Sequence, residues 1–314
     1  MKYKLEAYTI YELGQRSNQE DSIFPADGEA SGDDRLFILC DGMGGHSSGE
    51  VASAAVCEGL GRTVMSICPD SEGEFSDEAF QKALSAAYDL LDARDDGAVR
   101  KMGTTMTFLK LHSGGCTIAH IGDSRVYHIR PGKDRESTEI LFQTVDHSLV
   151  NDLLRNGELL PEEVKDFKQK NVITRAMQPN MERRCKASLH HIADIRPGDC
   201  FMLCSDGILE NTEDDNLRFI FSDACGDIAN KVDVIRNATA GNRDNHSAII
   251  VHILDVYGQE GVDCTPGCGS DTLDESVSPA ADSSSEGDRR KLLLTVLAIL
   301  ALIAASSAAA KLLF

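Results

Sequence analysis

Leu36-Phe37-Ile38-Leu39-Cys40-Asp41-Gly42 carries the reading on which the fold turns. Five consecutive apolar residues read as a short buried strand, and the glycine after the acid lets the backbone turn sharply. Asp41 is thereby expected to project from the rim of a sheet. The pattern returns twice: Gly122-Asp123 follows the mostly apolar run 116–121, and Ser205-Asp206-Gly207 follows residues 201–204. Glu20-Asp21 and Asp244-Asn245 stand near further strand boundaries. A single Asp-Gly pair is an ordinary turn. A set of them at strand ends is how a fold gathers carboxylates around metal ions.

Working outward, residues 104–112, 116–121, 125–130 and 139–142 read as successive strands. They are separated by Ser113-Gly114-Gly115, Gly122-Asp123-Ser124 and Pro131-Gly132. Strands so closely spaced predict an antiparallel meander. Before them, one helix is expected to begin at Ser47 or Ser48, where Ser47-x-x-Glu50 fits a capping box. A second is predicted over 76–95, with Ala79, Phe80, Ala83, Leu84, Ala87, Leu90 and Leu91 on one stripe. Residues 147–170 are polar and predict short helices in an excursion, and strands return near 185–191, 200–204 and 247–254. The economical architecture is an α+β fold: two antiparallel β-sheets packed as a sandwich and flanked by helices.

The chain has 314 residues, 42% of them hydrophobic, enough for a sizeable core. Its 51 acids against 31 bases leave no basic stripe to neutralise phosphates, so nucleic acid is excluded as a general partner. Ten scattered cysteines, several inside apolar runs, read as core-packing thiols in a reducing compartment. Cys264 and Cys268 form a lone Cys-x3-Cys, which supports zinc only weakly. Residues 1–10 mix polar and apolar character, so no cleavable signal peptide is expected.

Three segments emerge. Residues 1–257 form the expected catalytic domain, and residues 258–288, with eight acids and no Lys or Arg, an acidic disordered linker. Residues 289–314 form a C-terminal anchor: 292–310 are 19 consecutive uncharged residues, preceded by Arg289-Arg290-Lys291 and followed by Lys311. A helix of that length roughly spans a bilayer core. A transmembrane helix with the catalytic domain in the cytoplasm is therefore expected.

Oxygen ligands without clustered His and Cys favour hard divalent ions over zinc. At this point the residues resemble a family. Arg16-Ser17-Asn18-Gln19-Glu20-Asp21-Ser22, Asp41-Gly42-Met43-Gly44-Gly45-His46, Gly103-Thr104-Thr105, Gly122-Asp123-Ser124-Arg125-Val126-Tyr127, Asp146-His147-Ser148, Ser205-Asp206-Gly207 and Arg243-Asp244-Asn245 occur in the order of the metal-dependent serine/threonine protein phosphatases of type 2C. The resemblance covers about residues 5–255 and is bacterial in type.

The resemblance implies hydrolysis of phosphoserine and phosphothreonine by direct attack of water at a binuclear Mn²⁺ or Mg²⁺ site. It implies that Asp41 bridges two ions, that Gly42 offers its carbonyl, and that Asp206 and Asp244 ligate. Glu20 and Asp21 would act through metal-bound waters. Asp123 with Asp206 resembles a third ion site, the other reading of Asp123 being a plain turn. Arg16 would grip the substrate phosphate with its planar fork of donors, against the alternative of a surface ion pair. The implied partners are phosphoproteins, including a Ser/Thr kinase and its substrates, and the catalytic domain is expected to be monomeric.

The match departs from the family in places. Met43 stands where many eukaryotic members carry a histidine, and a thioether donates no proton. His46 nearby is assigned a structural role. The excursion 147–178 resembles the family's flap but has Gln178 where bacterial relatives often carry glycine. Two rival readings share much of the pattern. A pseudophosphatase signalling module would have lost metal carboxylates, and all the expected acids are present. A phosphatase of small phosphorylated metabolites would share the chemistry and differ in the flap and loops. Cysteine-dependent phosphatases are excluded, since no Cys-x5-Arg occurs.

Overall fold

Alternation along β3 (Leu36–Met43) explains its unbroken apolar run. Phe37 and Leu39 pack with Leu109, Phe201, Leu203 and Ile249, whereas Leu36, Ile38 and Cys40 face a separate cluster with Leu60, Phe80, Leu84 and Leu91. Both faces are covered, and a strand in that position has no polar side. Burying each such Leu or Phe contributes about 1.5–3 kcal/mol.

The structure is a computed structural model that describes residues 1–44, 48–95, 97, 102–167, 169 and 172–258. One sheet has the order β1 (Lys2–Glu12), β11 (His246–Tyr257), β10 (Cys200–Cys204), β7 (Arg125–Arg130), β8 (Glu139–Gln143). The other runs β2 (Asp21–Phe24), β3, β5 (Met106–His112), β6 (Gly115–Ile121), β9 (Ser188–Ile192), with β4 (Gly103–Thr104) paired to the end of β3. All pairings are antiparallel. Helices α1 (Gly49–Ile67) and α2 (Asp77–Ala93) cover the second sheet. A third cluster sets Met202, Cys204 and Ile250 against α5 (Asp214–Phe221) and α6 (Ile228–Thr239). The result is the expected α+β sandwich of two sheets flanked by helices.

The α2 stripe is as expected: Phe80, Ala83, Leu84, Ala87 and Leu91 are buried, and Ser76 caps by accepting the Ala79 N–H. At α1 the N-cap is Ser48, which makes no side-chain cap bond; Ser47, the expected capping residue, lies outside the described residues. The helices α5 and α6, and the short α4 (Asp206–Leu209), were not anticipated one by one. The strand expected over 185–191 begins at Ser188.

The meander is corrected by the structure. β5 and β6 belong to one sheet and β7 and β8 to the other, so the chain changes sheets at Gly122-Asp123-Ser124. Gly122 takes φ +107°, and a Cβ there would lie 2.6 Å from Thr105 Cγ2. Only glycine permits that corner. The excursion contains α3 (Leu149–Asn156), capped by Ser148 and closed by Gly157 at φ 71°, then a 3₁₀ turn over Pro161–Asp166. It returns by Met177, which exchanges two 2.9 Å backbone bonds with Thr104.

All eight cysteines among the described residues are free thiols. No helix among the described residues is long and apolar enough to cross a membrane. The linker beyond residue 258, Cys264, Cys268 and the span 292–310 lie outside the described residues.

Candidate metal centre

Register sets the first two acids against each other. Asp21 of β2 stands directly opposite Asp41 of β3, and opposed residues of an antiparallel pair project on the same face. Two carboxylates so placed repel, which is unfavourable unless something between them is positive. Asp21 is 1% exposed. Its Oδ2 accepts from Ser247 Oγ (2.6 Å) and Ser205 Oγ (3.1 Å), while Oδ1 is buried without a partner.

Asp41 follows Phe37 and Leu39 on the inter-sheet side, at the rim where the sandwich opens. Its backbone is clamped: the Asp41 N–H donates to Thr105 Oγ1 (3.0 Å), and its carbonyl accepts from the Thr105 N–H (2.8 Å) and Thr104 Oγ1 (2.9 Å). Gly42 sits in a cradle. Its N–H donates to the Glu20 carbonyl (3.0 Å), and a Cβ would lie 2.3 Å from Gly49 O and 2.4 Å from Glu20 O. A side chain would drive β2, β3 and α1 apart, so glycine is obligatory.

Asp206 begins α4 just past β10, after the N-cap Ser205, and its carboxylate is close enough to that of Asp41 for each to perturb the other. Asp244 precedes β11 and pairs with Arg16, Nη2 to Oδ2 2.5 Å. Asn245 fastens the preceding loop to the site: Oδ1 accepts the Glu20 N–H (2.9 Å), and Nδ2 donates to the carbonyls of Leu13 (2.8 Å) and Asn18 (3.0 Å). Asp123 stands at the sheet-switching corner with Oδ1 buried and unpartnered. Met43 lies opposite Gly103, where its Cγ and that of Gln178 both crowd the glycine's face. His46 lies outside the described residues.

Burial, and after it the neighbouring acids, raises every carboxyl of the site that titrates away from its ordinary value. Burial first, then repulsion from Asp21, Asp206, Asp123 and Asp244, holds Asp41 well above the carboxylate range. Burial also pushes Asp21 up to about 7, with Asp206 and Asp244 adding to it against the two serine hydroxyls. Asp123 rises to about 7 through burial and then Asp206, Asp206 through burial and Asp244, and Glu20 through burial and Glu50.

Such a set fits hard divalent ions. The donors are all oxygens, and three buried carboxylate oxygens, on Asp21, Asp123 and Glu50, have no partner. Among the described residues no three His, Cys, Asp or Glu side chains stand at joint ligand distance. The charges themselves account for this: Asp244 is turned to Arg16, and Asp41 and Asp206 repel one another. Like charges draw no closer than that without a cation.

The structure brings Glu20, Asp21, Asp41, Gly42, Asp123, Asp206, Asp244 and Arg16 to one rim. Sequence reasoning missed the hydroxyls of Thr105, Ser205 and Ser247, which lie inside or beside quoted motifs but gave no sign of their roles. It also read Glu50 only as a helix cap. Beside the acids runs a groove of about 740 Å³, lined by Ser148, Asn151 and Val164 of the excursion and by Asp206, Glu210 and Arg243.

Comparison with known proteins agrees with this geometry. The protein phosphatase 2C family model matches residues 13–232. The protein phosphatase PhpP of Streptococcus pneumoniae is 32% identical over 251 residues, 79% of this chain and 97% of that protein. The crystal structure of the Mycobacterium tuberculosis serine/threonine phosphatase PstP/Ppp superposes with a TM-score of 0.65 at 28% identity, covering 80% of this chain and 99% of that one. The catalytic domain of PstP in complex with two manganese ions gives 0.62 at the same identity, with 80% and 99% covered. A family match over more than half of the length, on a sandwich whose rim gathers these acids, has one meaning: the chain belongs to the protein phosphatase 2C family.

Proposed function

We infer that this chain is a metal-dependent phosphoprotein phosphatase that hydrolyses phosphoserine and phosphothreonine in proteins. The observation that carries the reading is the crowding of Asp21, Asp41, Asp123 and Asp206 at one rim, with buried carboxylate oxygens lacking any partner. Asp41, the Gly42 carbonyl, Asp206 and Asp244 would hold two Mn²⁺ or Mg²⁺ ions, with Glu20 and Asp21 acting through water and Asp123 with Asp206 serving a third. Bound there, such ions neutralise phosphate charge and acidify a water for in-line attack.

The chain's own groups supply the rest. Thr104 and Thr105 fix the Asp41 backbone, and Ser205 and Ser247 hold Asp21 so that one of its oxygens faces the site. Arg16, half exposed at the rim, binds phosphate oxygens through its fork of N–H donors. Met43 contributes no proton, so the leaving alkoxide is protonated from another source. Substrate chain lies in the groove between the excursion and α4, and the phosphoproteins served include a Ser/Thr kinase and its substrates.

The test is hydrolysis of phosphoserine and phosphothreonine peptides by residues 1–257. Turnover is expected with Mn²⁺ or Mg²⁺ and none in chelator; full activity in chelator overturns the reading.

We further infer that residues 292–310 anchor the protein in a membrane, with the catalytic unit on the cytoplasmic side. Support comes from 19 uncharged residues flanked by three basic residues before and one after.

A further inference from the structure

The buried Oδ1 of Asp123 has no hydrogen-bond partner to fix its direction. Its setting has to come from the backbone of the corner, and that corner is held from outside. The Gly122 N–H donates to Nδ1 of His147 (3.1 Å), while the His147 N–H donates to the Gly122 carbonyl (2.9 Å). One residue thus grips both polar groups of a glycine that has no side chain of its own to hold it.

The His147 ring is itself well fixed. It is 5% exposed and stacks on His120 with centroids 4.5 Å apart and planes 8° from parallel. Because Nδ1 accepts, Nε2 carries the proton and donates to Ser188 Oγ at 2.9 Å. Arg175 Nη1, 3.4 Å from Nε2, is then a neighbour and not a donor to that atom. Burial, with His120 and Arg175, pushes the imidazole down to about 4, so the ring is neutral near pH 7.

His147 also belongs to the base of the excursion. Its carbonyl accepts the Thr174 N–H (2.8 Å), and Ser148, next in the chain, caps α3 and bridges to Ile173. From the corner the contacts run on inward: Ser124 Oγ meets Thr105 Oγ1 at 2.7 Å, and Thr105 Oγ1 receives the Asp41 N–H. His147 is therefore one junction between the excursion and the acidic rim, beside the Met177–Thr104 backbone pair.

We propose that His147 is a positioning residue of the phosphatase: by gripping the N–H and C=O of Gly122 it sets the Asp123 carboxylate and ties that setting to the base of the 147–178 excursion. The proposal deepens the metal-centre reading and rests on it. Its chemistry is specific, since it needs an acceptor at the δ position of residue 147, a place where asparagine has an oxygen and leucine has none.

The experiment compares His147→Asn, His147→Gln and His147→Leu in the full chain, with Asp41→Asn as reference. In metal-free protein, amide exchange at Gly122 should quicken in the Leu and Gln variants and stay slow in the Asn variant. In Mn²⁺ titrations the weakest binding step should be lost or weakened in Leu and retained in Asn. The Leu variant should lose kcat about 10- to 100-fold with little change in KM, the usual scale for partners that orient ligands, and Asn should recover most of it. Wild-type kcat and Mn²⁺ isotherm in the Leu variant overturn the proposal, as does a Gln variant equal to Asn. Should the Leu variant not fold, the Asn and Gln pair decides alone. An active Asp41→Asn would instead sink the metal-centre reading, so the two failures are told apart.

Discussion

Arg16 and Asp244 form an ion pair at 2.5 Å, the guanidinium 53% and the carboxylate 33% exposed, at the edge of the acidic rim. Asp244 is an expected ligand and Arg16 an expected phosphate clamp, so each is engaged with the other. Arg16→Ala should raise KM for a phosphopeptide about tenfold and lower kcat less, since a phosphate clamp acts on ground and transition states alike. Calorimetry should show Mn²⁺ binding no weaker, because the variant frees Asp244. An exposed pair contributes about 0–1 kcal/mol, so the melting temperature should move by at most about 4 °C. Unchanged KM would leave Arg16 as a surface ion pair.

Asp41→Asn addresses the centre itself. A neutral amide cannot balance two cations, and the loss of several kcal/mol of charge stabilisation corresponds to roughly a 10³-fold fall in kcat. Metal-free stability should not fall, because one of five crowded acids is removed. Wild-type rates in this variant contradict the bridging assignment.

Gly42→Ala tests the cradle. A Cβ placed 2.3–2.4 Å from two carbonyl oxygens has no room, and both are backbone atoms that do not swing aside. Destabilisation of about 1–3 kcal/mol by chemical denaturation is expected, together with loss of Mn²⁺ binding. A variant as stable and as active as the parent would show that β2, β3 and α1 yield more easily than their contacts suggest.

Stability should depend on pH through His112, at the tip of the β5–β6 hairpin. Burial brings its imidazole down to about 4, and the neutral ring accepts the Gly114 N–H at Nδ1 (3.2 Å) and meets Thr117 Oγ1 at Nε2 (3.1 Å). The unfolded chain protonates near 6.5 and so binds more protons between the two values. The contribution is complete above about pH 6.5 and is lost as pH falls toward 4. Urea unfolding at pH 7.5 and pH 5 should show the wild type losing about 1 kcal/mol more than His112→Asn, which keeps the acceptor but does not titrate. Equal losses would place the acid sensitivity elsewhere.

For the anchor, fractionation of the full chain should find it in membranes, resistant to high salt. A chain ending at residue 288 should be soluble with peptide phosphatase activity intact. Release of the full chain by salt, or digestion of the catalytic unit by protease outside intact cells, would contradict the proposed topology.

What the sequence determined by itself is the set of strands and the acids at their ends. The run from Leu36 to Cys40 could be buried only if both its faces were covered, and glycine beside Asp41 and Asp123 marked where the backbone had to turn. Local chemistry suffices for such features, because they depend on neighbours in the chain. The order of strands did not follow: residues 104–142 look like one meander, and only packing sends β7 and β8 to the other sheet through Gly122. Nor could local pattern show that Asp21 faces Asp41, that Ser205 and Ser247 converge on Asp21 from 184 and 226 residues away, or that His147 grips Gly122. Those are choices of register and long-range hydrogen bonding. They arise only when two sheets close on one core, and it is that closure which turns acids scattered along the chain into a single charged rim.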